Sequence, residues 1–254
     1  MRTAVYCGTR NLYPDMVTAV NSLLANGGAD RVVLVIEDDV FPYGLPGCCE
    51  TINVADQTYF RKGGPNYSTG WTWMVLMRTA LSKLLPEEDR VLSLDVDTIV
   101  DGDISGLWDM DLSDYYLAAA REPGKSWDKM YVQMGVVLFN LKKLREDGMD
   151  DRIIEALNTR PYCFTDQDCI NQMCEGHILE MDSKYNYNNY TVRTDDPQIY
   201  HFAAIREWRG LDVVKKYRVE RPAENGGSYG TVLEVEEKKW QLGKMLEEFE
   251  KRRI

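Results

Sequence analysis

Histidine is nearly missing, with 2 in 254 residues, His177 and His201. A Ser-His-Asp hydrolase or a histidine-rich zinc centre has little to draw on, and rarity makes each of the two informative. Positive charge is also short. Lys and Arg number 30 against 41 acidic residues, giving a formal net charge of −11, which disfavours nucleic acid or an anionic membrane surface as a partner. An anionic substrate then needs a local basic pocket or a metal. The CxxC spacing of a zinc site is absent: Cys48 and Cys49 are adjacent, and Cys163, Cys169 and Cys174 are irregularly spaced, so the six cysteines read as reduced thiols. No basic segment followed by an apolar core opens the sequence, and no apolar run approaches the roughly 18 residues that span a bilayer. The expectation is a cytoplasmic protein without a transmembrane segment, at most peripheral on a membrane.

What is present is enough apolar content, 44%, for one large domain with a real core. TAVYCG and RVVLVIE read as buried strands around PDMVTAVNSLLANGG. There Met16, Val20, Leu23 and Leu24 share a helical face, Pro14 starts the helix and Gly27-Gly28 ends it. Strand, helix, strand predicts a right-handed parallel βαβ unit. Further on, WMVLMRTALSKLL predicts a helix, YYLAAA and YVQMGVVLFNL strands, and DDRIIEAL a helix. TDQDCINQMCEG predicts a helix N-capped by Thr165 with Asp168 three residues on, and QIYHFAA a last strand. The C-terminal EVEEKKWQLGKMLEEFEKRRI predicts a charged amphipathic helix that docks on the domain through Trp240, Met245, Leu246 and Phe249. The fold class is α/β with a mainly parallel central sheet, whose ligands bind beyond the carboxyl ends of the strands. Asp95 and the loop after VYCG both lie at such ends.

The stretch VLSLDVDTIV poses a chemical question. In a continuous strand Asp95 and Asp97 project to one face and Val96 to the other. Two like charges so close repel unless a cation lies between them, and hard oxygen ligands suit Mg²⁺ or Mn²⁺. A solvated strand end is the plain alternative.

VLSLDVDTIVDGDISGLWDMDL resembles glycosyltransferase family 8, retaining enzymes of the GT-A-type fold. Four further segments match in the same order: VYCGTRNLYPDMVTAVNSLL, LMRTALSKLLP, VQMGVVLFNLKKLRE, and FTDQDCINQMCEGHILEMDSKYNYN leading to IYHFAAIREW. The resemblance implies a GT-A-type catalytic domain over residues 1–215 and an extension over 216–254 carrying the C-terminal helix. It implies transfer of glucose or galactose from UDP-glucose or UDP-galactose to a hydroxyl of a carbohydrate, glycolipid or protein acceptor. Asp95, Asp97 and His201 match the family's metal ligands, with Mn²⁺ the first choice and Mg²⁺ the second. Thr9, Asn11 and Tyr13 match positions that contact uracil, with Tyr13 able to stack on the base. Arg78 matches the arginine before the DxD, there pairing with the aspartates or the donor, and Val96 lies within the DxD itself. Asp166 and Gln167 match the DQ pair beside the donor hexose. Retention by front-face departure and attack and retention through a covalent intermediate both fit the pattern.

Two departures from the family pattern stand out. Gln133 replaces an asparagine in VQMGV, a longer amide near the sugar or acceptor. In HFAAIREW, Ala204 replaces the glycine that lets backbone approach the diphosphate, the spacing is one residue shorter, and Arg206 is the candidate for the usual lysine's phosphate contact. Trp71 and Trp73 flank Thr72 and face one side if extended, as a sugar platform or as core. Two other readings compete: a haloacid-dehalogenase-type phosphatase, since DVDT also fits that nucleophile signature and Asp150-Asp151 offers an acidic pair, and a non-catalytic nucleotide-sugar-binding protein with a degraded site.

Overall fold

The computed structural model describes residues 1–124, 130–205 and 207–218. Arg206 and the predicted C-terminal amphipathic helix therefore lie outside the described residues. Nine strands are present among them: β1 (Thr3–Cys7), β2 (Arg31–Ile36), β3 (Cys49–Asn53), β4 (Arg90–Leu94), β5 (Thr98–Val100), β6 (Leu117–Arg121), β7 (Val132–Asn140), β8 (Ile178–Met181) and β9 (Ile199–His201). Seven form one sheet in the order β3-β2-β1-β4-β7-β6-β8. Only β7 runs against its neighbours, so the sheet is mainly parallel.

Alternation along β1 shows why the sheet is covered on both faces. Val5 packs into one apolar cluster, and Ala4 and Tyr6 into the other. The Tyr6 face is covered by helix α1 (Tyr13–Asn26), with Met16, Val20 and Leu23 fully buried. Pro14 stands in its first turn, and the Gly27 N–H closes its end on Leu23 O at 2.6 Å. The short helix α2 (Leu81–Leu84) packs on the Val5 face, and α3 (Ser105–Trp108) lies beside α1, where Trp108 Nε1 donates to Gly27 O at 2.7 Å. Helices α4 (Leu141–Glu146), α5 (Met149–Thr159) and α6 (Thr165–Met173) complete the Val5 face.

Beyond the sheet's carboxyl edge, β5 and β9 pair antiparallel, with Thr98 opposite His201. Under them lies a third cluster built from Ile99, Tyr200, Phe202, Trp208 and Val214, the last from helix α7 (Asp212–Lys215). The chain runs from β1 through β2 to β3 on one side and returns to β4 on the other side of β1. That reversal opens a crevice between the ends of β1 and β4, the place where open α/β sheets bind ligands.

Candidate active site

The DVD segment is not the continuous strand its pattern predicts. β4 ends at Leu94 and residues 95–97 turn before β5. The Thr98 backbone N–H (3.2 Å) and hydroxyl (2.7 Å) both donate to Asp95 O, and the Asp95 N–H donates to Gly135 O of β7 at 2.8 Å. The turn wins because Thr98 gives the Asp95 carbonyl two local donors. The carboxylates still converge, by turn geometry rather than by strand alternation.

His201 completes the cluster. Its Nε2 lies 3.6 Å from Asp95 Oδ2 and 3.5 Å from Asp97 Oδ1, and one ligand atom from each residue falls within 4.8 Å of the others. The ring is 2% exposed, and a relay of amides holds its orientation. The Gly135 N–H (2.6 Å) and Asn186 Nδ2 (2.8 Å) donate to Gln133 Oε1, which turns Asn186 Oδ1 toward His201 Nδ1 at 2.9 Å. Asn188 Nδ2 is committed to Asn186 O and Oδ1 at 3.1 and 3.0 Å. Nδ1 therefore donates to Asn186 Oδ1, and Nε2 points at the two carboxylates, where its lone pair becomes available to a cation once its proton leaves. Two carboxylate oxygens and Nε2 meet at one point, with Nδ1 held by Asn186, the arrangement in which a metal-ligating histidine is held by an outer partner. Without a cation, burial works to depress the His201 pKa, but Asp97 and Asp95 outweigh it and hold it above the usual value. Burial raises Asp97, yet His201 outweighs it and holds that carboxylate low.

Arg78 ties this cluster to the DQ pair. The segment WMVLMRTA is a 3-10 helix over Trp73–Ala80, with Thr72 Oγ1 accepting from the Met74 N–H, and α2 follows it. The guanidinium is buried and pairs with Asp95, with the Met134 carbonyl and, through Nε at 3.0 Å, with Asp166 Oδ2. Thr165 Oγ1 takes the other Asp166 oxygen at 2.8 Å. Burial nevertheless keeps Asp166 above the usual carboxylate value, because Arg78 is shared with Asp95. Three carboxylates against one guanidinium leave negative charge that the His201 imidazolium offsets in part and that a divalent cation would offset in its place. Cys7, between these groups, is pushed up to about 12 by burial and is no nucleophile at neutral pH.

Thr165 is not the N-cap. It is the first residue of α6 with φ 39°, Phe164 precedes it as cap, and the Asp168 carboxylate accepts from the Phe164 N–H at 2.8 Å. The hydroxyl is turned to Asp166 instead, and a β-branched residue at positive φ is a strained conformation that clusters at functional sites. Gln167 accepts from the Met134 N–H at 3.2 Å and donates to Glu122 at 3.0 Å and Tyr131 at 3.2 Å.

The remaining candidates are placed as follows. Val96 is buried beside Gly8, where a Cβ would lie 3.3 Å from it. Thr9 Oγ1 donates to Asn11 Oδ1 at 2.7 Å at the rim. Tyr13 is 1% exposed, packed on Phe41 at 4.9 Å, with its hydroxyl between Asp38 (2.9 Å) and the Glu37 N–H (3.1 Å). It anchors the loop after β2 and presents no open face to a base. Gln133 spends its oxygen inside the relay. Trp73 stacks on Tyr67 at 5.5 Å, whereas Trp71 stays 48% exposed beside Phe164 at 5.6 Å, so the two tryptophans do not form one platform. Asp150 and Asp151 open α5 and are held by Lys83 at 3.0 and 2.9 Å, and Ser82 donates to Asp150 at 2.7 Å, in a structural network rather than in the crevice.

Ala204 has φ 61° in the turn closed by the Ile205 N–H on Phe202 O at 2.9 Å. The left-handed conformation costs an L-residue about 1–2 kcal/mol, and glycine returns about 0.4–1 kcal/mol through its freer unfolded chain. Ala204→Gly is therefore expected to stabilise the protein by about 0.5 kcal/mol, read as a higher urea midpoint. A lower midpoint would show that alanine suits the turn.

Sequence reasoning missed Gly135, Asn186, Asn188, Glu122 and Tyr131. A glycine inside a buried strand was the one available signal, since it marks close approach of another group.

Comparison with known proteins decides the family. The glycosyl transferase family 8 model matches residues 46–205, more than half of the chain. The chain belongs to glycosyltransferase family 8. Among curated relatives, it is 24% identical over 248 residues to the glycosyltransferase GlyD of Streptococcus pneumoniae, covering 85% of this chain and 30% of that protein. It is 27% identical over 124 residues to a putative glycosyltransferase of Haemophilus influenzae, covering 43% and 38%. The chain thus spans well under half the length of either. The galactosyltransferase LgtC, solved with donor and acceptor sugar analogues, aligns with a TM-score of 0.63 at 19% identity, covering 84% of this chain and 93% of that one. The fold is GT-A. This family membership overturns the phosphatase reading of DVDT, as does the place of Asp150 and Asp151 in α5. No helix among the described residues is long and apolar enough to cross a membrane.

Proposed function

We propose that this family 8 chain is a metal-dependent, retaining hexosyltransferase that takes glucose or galactose from a UDP-sugar. The observation that carries the reading is the meeting of Asp95, Asp97 and Nε2 of His201 at one point in the crevice, joined through Arg78 to Asp166. Two oxygens and an imidazole nitrogen suit Mn²⁺ first and Mg²⁺ second. When bound, the cation neutralises charge on the departing diphosphate. Arg78 keeps Asp95 and Asp166 at fixed places, and Gln167 lies beside the donor hexose. Both Asp166 oxygens are taken by Arg78 and Thr165, which favours the front-face route, in which the leaving phosphate oxygen accepts the acceptor's proton, over attack by Asp166. The acceptor is a carbohydrate, glycolipid or protein hydroxyl, and Trp71, exposed beside Phe164 two residues before Asp166, is the aromatic surface for it. The site is assigned to the cytoplasm.

The test is calorimetric titration of UDP with and without Mn²⁺. Binding is expected only with the cation, and it is lost in Asp97→Ala while the unfolding midpoint stays near wild type. Equal affinity without the cation, or no binding in either condition, sinks the proposal. Turnover with an acceptor separates the enzyme from a non-catalytic binding protein.

A further inference from the structure

We propose that Glu122 is a positioning residue that locks the Gln167 side-chain amide so that, toward the donor hexose, it acts only as an acceptor. The inference rests on the reading that Gln167 lies beside that hexose. Glu122 directly follows β6 and is 5% exposed. Its Oε2 accepts one Gln167 Nε2 proton at 3.0 Å, and Tyr131 Oη accepts the other at 3.2 Å. The Tyr131 proton is committed elsewhere, to Asp168 Oδ1 at 2.5 Å, so that hydroxyl is an acceptor toward Gln167. On the other side the Met134 N–H donates to Gln167 Oε1 at 3.2 Å.

A flipped amide would reverse every one of these contacts. Its oxygen would face a carboxylate and a hydroxyl without a free proton, and its NH₂ would face a backbone N–H. One orientation therefore holds, and it is set by chemistry rather than by choice of fit. Both Nε2 protons are used. The unfilled capacity of Gln167 is the second lone pair of Oε1, which can accept from a sugar hydroxyl or lend partial negative charge to a developing oxocarbenium centre. The carboxylate of Glu122 strengthens that charge, since a charge-assisted bond to the amide nitrogen polarises the group toward its oxygen. Glu122 thus acts on the reaction without touching the sugar.

Four proteins test this: Glu122→Ala, Glu122→Gln, Gln167→Ala and the double alanine variant. Release of UDP from UDP-galactose and UDP-glucose with Mn²⁺ gives kcat and KM. Glu122→Ala is expected to lower kcat on the order of 10-fold to 100-fold, the range for a misplaced catalytic contact, with the donor KM within about threefold of wild type. Glu122→Gln, whose amide oxygen still accepts, recovers most of the loss. The double variant is no slower than Gln167→Ala, because a residue acting through another is silent once that other is gone.

A second readout does not need turnover. In ¹⁵N-labelled protein the Gln167 side-chain amide protons, assigned by their loss in Gln167→Ala, are expected to exchange slowly with water. In Glu122→Ala they exchange at least about tenfold faster, as one charge-assisted and one neutral partner fall to the neutral one alone. Additive rates in the double variant, or unchanged exchange in Glu122→Ala, overturn the lock. Unchanged turnover in Gln167→Ala alone would instead sink the placement of Gln167 at the hexose, with the lock then judged by exchange.

Discussion

Gly135→Ala is expected to destroy the proposed cation site without altering any of the three residues that would hold the ion. A Cβ built there lies 2.0 Å from His201 Cε1, 2.3 Å from Nδ1 and 2.7 Å from Nε2, well inside contact distance. The ring cannot retreat, since it is 2% exposed and held by Asn186. Nor can the strand retreat, because β7 is bonded between β4 and β6 and its Gly135 carbonyl holds the Asp95 N–H. Overpacking of this kind costs about 1–3 kcal/mol, and the displaced imidazole takes Nε2 away from the aspartates. Unfolding in urea and titration of Mn²⁺ check both halves. His201→Ala also loses the cation but opens room, so Gly135→Ala added to it should cost close to nothing in stability, a non-additivity expected of residues in contact. Wild-type Mn²⁺ affinity in Gly135→Ala would refute the account.

The same glycine shows where sequence reading stops. The three residues that converge were legible because chemistry names them as candidates: carboxylates two apart at the end of an apolar strand, and a histidine scarce enough to be suspect. Their support was not legible. Asn186 and Asn188 sit in a polar stretch without periodicity, and only the fold shows that they are buried and aimed at His201. Local rules also met tertiary override. Thr165 carries a capping pattern, yet its hydroxyl donates to Asp166 and its backbone sits at φ 39°. The apolar run around Arg78 has the composition of an α-helix, but three of the Arg78 guanidinium contacts leave the helix and a fourth closes on Val75 O at 3.3 Å, within a tighter 3-10 turn. Gln133, read as a longer arm toward sugar, has its acceptor filled by its own strand and by Asn186. The sheet was the easiest part, since each strand announces itself as a short apolar run and βαβ handedness leaves few ways to connect them.

Arg78→Met should be the most destabilising change at the site. The side chain is 6% exposed, and its fork serves Asp95, Asp166 and the Met134 carbonyl at once. Methionine fills much of the volume, so the loss is one of charge. Breaking a buried pair by removing one partner costs about 3–5 kcal/mol, and here two carboxylates lose the same partner. The pH dependence follows from Asp166, which burial already holds above its ordinary value of 3.8 and which rises further without the guanidinium. A carboxyl with a raised folded pKa costs nothing while it is protonated in both states. The penalty appears as pH climbs past the unfolded value and grows until the folded group ionises. The variant should therefore lose stability from about pH 4 upward, and it should recover when the pH is lowered toward 4. Adding Asp166→Asn removes the titrating charge and should return a large part of the stability at neutral pH. Urea midpoints across this range for the single and double variants decide the matter: a pH-independent loss would mean that Arg78 matters for its packing, with its bridge between the Asp95-Asp97-His201 cluster and the DQ pair secondary.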